Sequence, residues 1–249
     1  MKVLVVSDVH ANIAALNTIL EKEADYDILC CAGDYTDYGI YPMEVIERFR
    51  NLKNTHLVYG NHDLHVINTY ESGEWRTVED GKYKWVHYNC ERLNDQDIGW
   101  LKQLPETAYF EADGWKYGIA HQYDNGYGII ESRYAFDKYW AEHYGTDNTG
   151  NRRLIFGHTH RQCIHILGDG MEWLNPGSAS YRRPDDPDKT AHYVTITDGE
   201  ICLKQIPYDR KPQLEKAREF ISTDKMMRTE IQDFMFFFGD AKTSREPLG

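Results

Sequence analysis

"VLVVSDVH", residues 3–10, is the stretch that decides how this chain is read. Its apolar residues run without polar alternation, so it reads as a strand buried on both faces. It then delivers Asp8 and His10. The same grammar returns at "LIFGHTH" (154–160), where an apolar run meets Gly157 and then His158 and His160. Outward from the first stretch, "IAALNTILEKE" (13–23) has helical spacing and "YDILCCAG" (26–33) is a second apolar run. "PMEVIERFRNL" (42–52) places Pro42 at a helix start, and "THLVYG" (55–60) is a third run. The order β-α-β-α-β predicts a parallel sheet with crossover helices.

Residues 63–104 change character. They carry charge, Trp75, Trp85 and Trp100, and predict a helical insertion or cap. "TAYFEA", a "DG" turn at 113–114 and "WKYGIAH" then read as a hairpin. Residues 131–145 look helical. Further apolar runs follow at 153–158, 162–167, 171–175, 191–197 and 200–206. The tail 211–238 predicts one or two helices, whose Phe234, Phe236, Phe237 and Phe238 should pack on the body or on a second subunit. "AKTSREPLG" at the end reads as frayed. The division expected is a domain over 1–206, with 63–104 as its cap, and a helical extension over 207–249.

Composition narrows the class. A net charge of −12 over 249 residues disfavours binding to a nucleic-acid backbone, which needs a basic face. Mean hydropathy is −0.67, no run is long enough to span a membrane, and the first strand starts too early for a signal peptide. The five cysteines have no CxxC spacing and read as reduced thiols of a cytoplasmic protein.

In sheets of this kind ligands gather at the carboxyl ends of the strands. The residues that follow each run are therefore informative. They are Asp8 and His10, then Asp34 of "GD", then Asn61, His62 and Asp63 of "GNHD", then His121, and last His158 and His160. Any one of them could be a turn residue or a core histidine. Five such coincidences at equivalent positions point instead to a metal site. Imidazole, carboxylate and amide donors suit first-row divalent ions better than calcium. Seven donors are too many for one ion. A pair of ions about 3.5–4 Å apart would use them all, with Asp34 as the natural bridge. Glycines at 33, 60 and 157 would permit the sharp exits that aim the side chains inward.

With "DVH" (8–10), "GD" (33–34), "GNHD" (60–63), His121 and "GHTH" (157–160) in that order, the chain resembles the calcineurin-like metallophosphoesterase superfamily. "GDYTDYG" (33–39) and "NPGS" (175–178) extend the resemblance to about residues 1–206, closest in kind to small bacterial phosphodiesterases and dinucleoside-polyphosphate hydrolases. The fold it implies is α/β: two mixed β-sheets packed face to face with flanking helices, an α/β/β/α sandwich. The cofactors implied are two divalent transition-metal ions, manganese or iron first, with zinc, cobalt or nickel as others. Asp8, His10, Asp34 and His160 would hold the first ion, and Asp34, Asn61, His121 and His158 the second. A metal-bridging hydroxide would attack phosphorus, and His62 would stabilise the transition state and protonate the leaving oxygen. Asp37 is favoured over Asp63 to orient His62, with Asp63 read as a helix cap.

Tyr38 stands where the related protein phosphatases carry a phosphate-gripping arginine, which argues against a phosphoprotein substrate. Arg161, Arg182 and Arg183 are the replacement candidates, and Tyr38 joins them as a substrate-binding candidate. Trp75, Tyr83, Trp85, Tyr88, Trp100, Tyr123 and Tyr127 could stack a base, although ordinary packing is the commoner use of any one. The expected activity is hydrolysis of a small phosphorylated compound, a phosphodiester or dinucleoside polyphosphate. A phosphomonoesterase or serine/threonine protein phosphatase is the alternative enzyme, and a metal-bound protein-binding scaffold the alternative from another class. A homodimer through the C-terminal helix is a further expectation.

Overall fold

Along β1 (Lys2–Val6), Val3 and Val5 enter one core while Leu4 and Val6 enter another. Successive side chains of a strand face opposite ways, so an uninterrupted apolar run needs a partner layer on each side. The computed structural model describes residues 1–147, 149–180 and 189–248, and it supplies both layers. β1, β2 (Ile28–Cys31) and β3 (Thr55–Leu57) run parallel, as the β-α-β-α-β reading requires. Helices α1 (Ile13–Lys22) and α2 (Pro42–Arg50) cross over on the outer face, where Leu16, Ile19, Val45 and Phe49 meet Leu4 and Val6. Each apolar side chain fully buried in this way contributes about 1.5–3 kcal/mol.

The first sheet is completed by β9 (Ala191–Thr197), antiparallel to β1, and by β10 (Glu200–Ile206), giving the order β10-β9-β1-β2-β3. The second sheet is built from β4 (Thr107–Ala112), β5 (Trp115–Ala120), β6 (Asn151–Ile155), β7 (Cys163–Gly168) and β8 (Met171–Asn175), in the order β4-β5-β6-β8-β7. Val3, Val5 and Cys30 of the first sheet pack against Phe110, Tyr117, Ile119, Ile155 and Leu174 of the second. On its outer face the second sheet is covered by α6 (Arg133–Tyr144) through Phe136 and Trp140. The molecule is therefore the expected α/β/β/α sandwich of two mixed sheets.

One buried polar feature had no sequence signal. Arg153 is almost fully buried, donates through Nε to Glu172 at 2.5 Å and through Nη1 to the Tyr117 hydroxyl at 2.8 Å, and lies over the Trp115 ring. Its charge is tolerated because its donors face acceptors.

The helical stretch expected from residue 63 begins at Asn61. It comprises α3 (Asn61–Ser72), α4 (Trp85–Arg92) and α5 (Asp95–Gln103). The tail forms α7 (Lys211–Arg218) and α8 (Arg228–Phe237). Phe234, Phe237 and Phe238 are buried against Tyr83, Trp85 and Tyr88, with Phe236 partly buried beside them. The homodimer expected through this helix thus loses the exposed phenylalanine face on which it was argued. The chain end does not fray as expected. Arg245 pairs with Asp233 at 2.8 Å, and Gln232 donates to the Glu246 carbonyl at 3.1 Å. Among the described residues no helix is long and apolar enough to cross a membrane, and all five cysteines are free.

Candidate active site

β1, β2, β5 and β6 all end at one edge, and the loops that leave them converge there with the N-terminus of α3. Asp8, His10, Ala11, Asp34, Asp37, Tyr38, His158 and His160 have φ between +44° and +67°. Side chains other than glycine rarely adopt this region, and each such residue costs on the order of 1–3 kcal/mol. The strain gathers where the ligand candidates sit. Gly33 has φ +92°, as a sharp exit requires. Gly60 and Gly157 are glycines for another reason. A Cβ at Gly60 would overlap the Asp34 carboxylate, and one at Gly157 would overlap Ser7 Oγ and crowd Asp8.

The seven ligand candidates come together in two adjoining groups. His160 Nε2 lies 3.1 Å from Asp8 Oδ1 and 3.3 Å from His10 Nε2. His121 Nε2 lies 3.2 Å from Asp34 Oδ2 and 2.9 Å from Asn61 Oδ1, which is 3.0 Å from His158 Nδ1. Asp34 Oδ2 is also 3.9 Å from His10 Nε2, so it faces both groups. The Asp8 carboxylate touches both as well.

Hydrogen bonding shows what these groups lack. His10 Nδ1 faces the Thr36 carbonyl at 3.1 Å, and His121 Nδ1 faces the Ala32 carbonyl at 2.6 Å. With Nδ1 donating, Nε2 of each ring in its neutral form is a lone pair aimed into the site, the form a metal would require. Backbone N–H groups orient the carboxylates: His62 N–H donates to Asp34 Oδ1 at 2.9 Å, and His158 N–H to Asp8 at 3.2 Å. Asp34 Oδ2 remains buried with no hydrogen-bond partner among the described residues. A buried carboxylate oxygen facing imidazole lone pairs is costly unless a proton or a cation lies between them. The donor set therefore fits divalent metal.

The two imidazoles differ in charge preference. Burial pushes the His10 imidazole down to about 4, which keeps it a neutral donor. Burial also opposes charge on His121, but Asp34 outweighs it and pushes that ring up to about 10. Burial alone would raise Asp8 and Asp34, yet the facing histidines hold both below the usual carboxylate range.

His62 stands beside this centre. Its Nδ1 is 2.9 Å from Asp37 Oδ2, and its ring packs edge-on to His10. Burial would lower its pKa, but the hydrogen bond with Asp37 and the charges of Asp34 and Asp37 push it up to about 9. Two neighbours went unread in the sequence. His65, one helical turn on, brings Nδ1 to 3.1 Å from the same Asp37 oxygen, and the i,i+3 spacing was its only signal. Asn89 of α4 accepts from Asp37 N–H at 3.1 Å and donates to the Gly39 carbonyl at 3.1 Å, clamping that loop.

Asp63 does more than cap a helix. Its buried carboxylate accepts from the N–H groups of Asp34, Tyr35, Thr36 and Gly60 and from the Thr36 hydroxyl, at 2.9–3.1 Å. This one side chain ties the β2 exit to the α3 N-terminus. Asp63→Ala should cost about 3 kcal/mol or more, because it orphans several buried donors at once. Urea denaturation reads the effect, and a loss under about 1 kcal/mol would contradict this role. "NPGS" acts similarly: Asn175 donates to the Gly157 carbonyl at 2.5 Å and Ser178 to the Asp8 carbonyl at 2.8 Å.

The substrate candidates divide. Tyr38 packs 4.6 Å from the His62 ring, and Arg161 is exposed directly after His160. Arg182 and Arg183 lie outside the described residues. Tyr83, Trp85 and Tyr88 are buried among the tail phenylalanines, while Trp75 and Trp100 pack on the helical core. Packing is their use. Tyr127 differs: it is 69% exposed and stacks on His158 at 5.0 Å.

A family model described as the calcineurin-like phosphoesterase superfamily domain matches residues 1–199. The chain belongs to this superfamily. Membership makes this calcineurin-like phosphoesterase a metal-dependent phosphoester hydrolase. It is similar to an uncharacterized protein of Methanocaldococcus jannaschii, at 28% identity over 86% of this chain and 90% of that one. Its fold is similar to a crystal structure of a metallophosphoesterase from Sphaerobacter thermophilus, with a TM-score of 0.68 at 20% identity, covering 95% of this chain and 99% of that one. A shorter stretch, 42% of this chain and 38% of the other, is 30% identical to a symmetrical bis(5'-nucleosyl)-tetraphosphatase of Buchnera aphidicola.

Proposed function

We propose that this phosphoesterase hydrolyses a phosphodiester or dinucleoside polyphosphate at a centre holding two divalent transition ions. The reading is carried by the buried, unpartnered Asp34 oxygen between two groups of converging donors. Asp8, His10, Asp34 and His160 would hold one ion, and Asp34, Asn61, His121 and His158 the other. When bound, such a pair acidifies water near phosphorus and neutralises the non-bridging oxygens.

The remaining work falls to the chain. Asp37 accepts from His62 Nδ1, which fixes the tautomer and ring orientation and favours the imidazolium. His62 then gives its Nε2 proton to the leaving oxygen. His65 and Asn89 hold Asp37 for that task. Tyr38 and Arg161 are placed to meet the substrate, with Arg182 and Arg183 as further candidates from sequence. The short similarity to the Buchnera tetraphosphatase supports a nucleotide-type substrate.

Two alternatives are weaker. A protein phosphatase would want an arginine where Tyr38 stands. A protein-binding scaffold has no need of the His62–Asp37 pair. Assays with Mn²⁺ separate the enzymes. Bis-p-nitrophenyl phosphate should be hydrolysed with a higher kcat/KM than p-nitrophenyl phosphate or a phosphopeptide. Turnover confined to the monoesters would sink the diester reading.

A further inference from the structure

Next to the Asn61–His121 half of the centre lies a cleft of 240 Å³. Its walls include the apolar and aromatic side chains of Tyr59, Leu64, Tyr123 and Tyr139, contributed by the β3–α3 loop, α3, the β5 exit and α6. Glu106 and Gln122 add polar groups. Asn61 and His121 line the cleft themselves, so whatever fills it continues directly into the proposed ion site.

The lining excludes one class of occupant and favours another. Among the described residues no lysine or arginine reaches the cleft, and Glu106 places a carboxylate in it. Two histidines, His121 and His143, line the cleft, but none of the guanidinium or ammonium groups that grip a chain of phosphates. The aromatic walls favour an uncharged ring over a polyphosphate. Tyrosine faces suit a flat ring system, because stacking on an aromatic side chain tolerates any base. A carboxylate is an acceptor-only group with two oxygens, which matches a pair of adjacent hydroxyls. The Tyr59 hydroxyl, the Glu106 carboxylate and the Gln122 amide make no hydrogen bond to other described residues, so their polar atoms are available to a ligand.

We propose that this cleft seats the nucleoside end of the substrate, with Glu106 accepting from the ribose diol and the tyrosines holding the base. The inference rests on the phosphodiester reading and sharpens it. With no lysine or arginine in the cleft to hold a run of phosphates, the nucleoside is joined directly to the attacked phosphorus rather than spaced from it by a polyphosphate. The geometry thus selects nucleotide diesters over long dinucleoside polyphosphates.

Direct binding tests the cleft apart from the chemistry. Saturation-transfer NMR and titration with adenosine and with 2',3'-dideoxyadenosine use neither phosphate nor turnover. Both nucleosides should bind, adenosine more tightly. Glu106→Gln, at an exposed position, should weaken adenosine by about tenfold or more while leaving dideoxyadenosine unchanged. No transfer to adenosine with the full-length protein, or equal adenosine affinity in the variant, would overturn the assignment. Glu106-dependent binding by a protein that hydrolyses no diester would keep the cleft and sink the phosphodiester reading. Diester hydrolysis without nucleoside binding would do the reverse.

Discussion

Asp34→Ala should empty the centre of metal and lower diester hydrolysis by about 10³-fold or more. The reason is positional. Asp34 Oδ2 is the buried acceptor that faces His10 at 3.9 Å and His121 at 3.2 Å, and it has no hydrogen-bond partner among the described residues. Removing it would take a ligand from both proposed ion positions at once. The loss is specific to chemistry if the fold survives, and there is reason to expect survival. The backbone around residue 34 is held by Asp63, which the substitution leaves in place. Metal content by elemental analysis, read beside circular dichroism, checks the outcome. A variant that folds, keeps two ions and turns over at the parent rate would remove Asp34 from the mechanism.

His62→Ala should do the opposite to metal and nearly as much to rate. His62 touches Asp37, Tyr38 and His10 rather than occupying a ligand group with Asp34. Both ions should stay, and turnover should fall by about 10²–10⁴-fold, the usual loss when a positioned proton donor is removed. The loss should shrink for esters whose leaving group needs no proton, such as p-nitrophenolate, and be full for alkyl leaving groups. Asp37→Asn should follow with a smaller loss of about 10–100-fold, because it misorients the ring without deleting it. Equal losses for good and poor leaving groups would mean that His62 is not the proton donor.

Much of this was legible in the sequence because it depended on local pattern. The doubly buried β1 showed in an unbroken apolar run, and the β4–β5 hairpin in a "DG" turn between two strands. Strand ends bearing Asp8, Asp34, Asn61, His121 and His158 could be listed without knowing how the sheets pack. What was hidden depended on distance through space. Asn89 clamps a loop 52 residues earlier in the chain, and no short pattern announces such a pairing. Arg153 lies within a strand, and no local pattern announces that Glu172 and Tyr117 meet it in the core. Asp63 reads as a cap because a helix start explains an aspartate cheaply, whereas four of its five donors come from residues 34–36, far away in the sequence. The cap tryptophans follow the commoner use expected of them, packing. Trp85 packs under the tail phenylalanines and Trp75 and Trp100 on the helical core, partners that no local pattern names.

Anomalous scattering from crystals grown with Mn²⁺, with the metal per chain measured on the same protein, tests the central claim most directly. The account predicts two peaks about 3.5–4 Å apart, one on each side of the Asp34 carboxylate. A fully ordered pocket with no anomalous peak, or with a single ion that leaves His121 and His158 unbound, would contradict it.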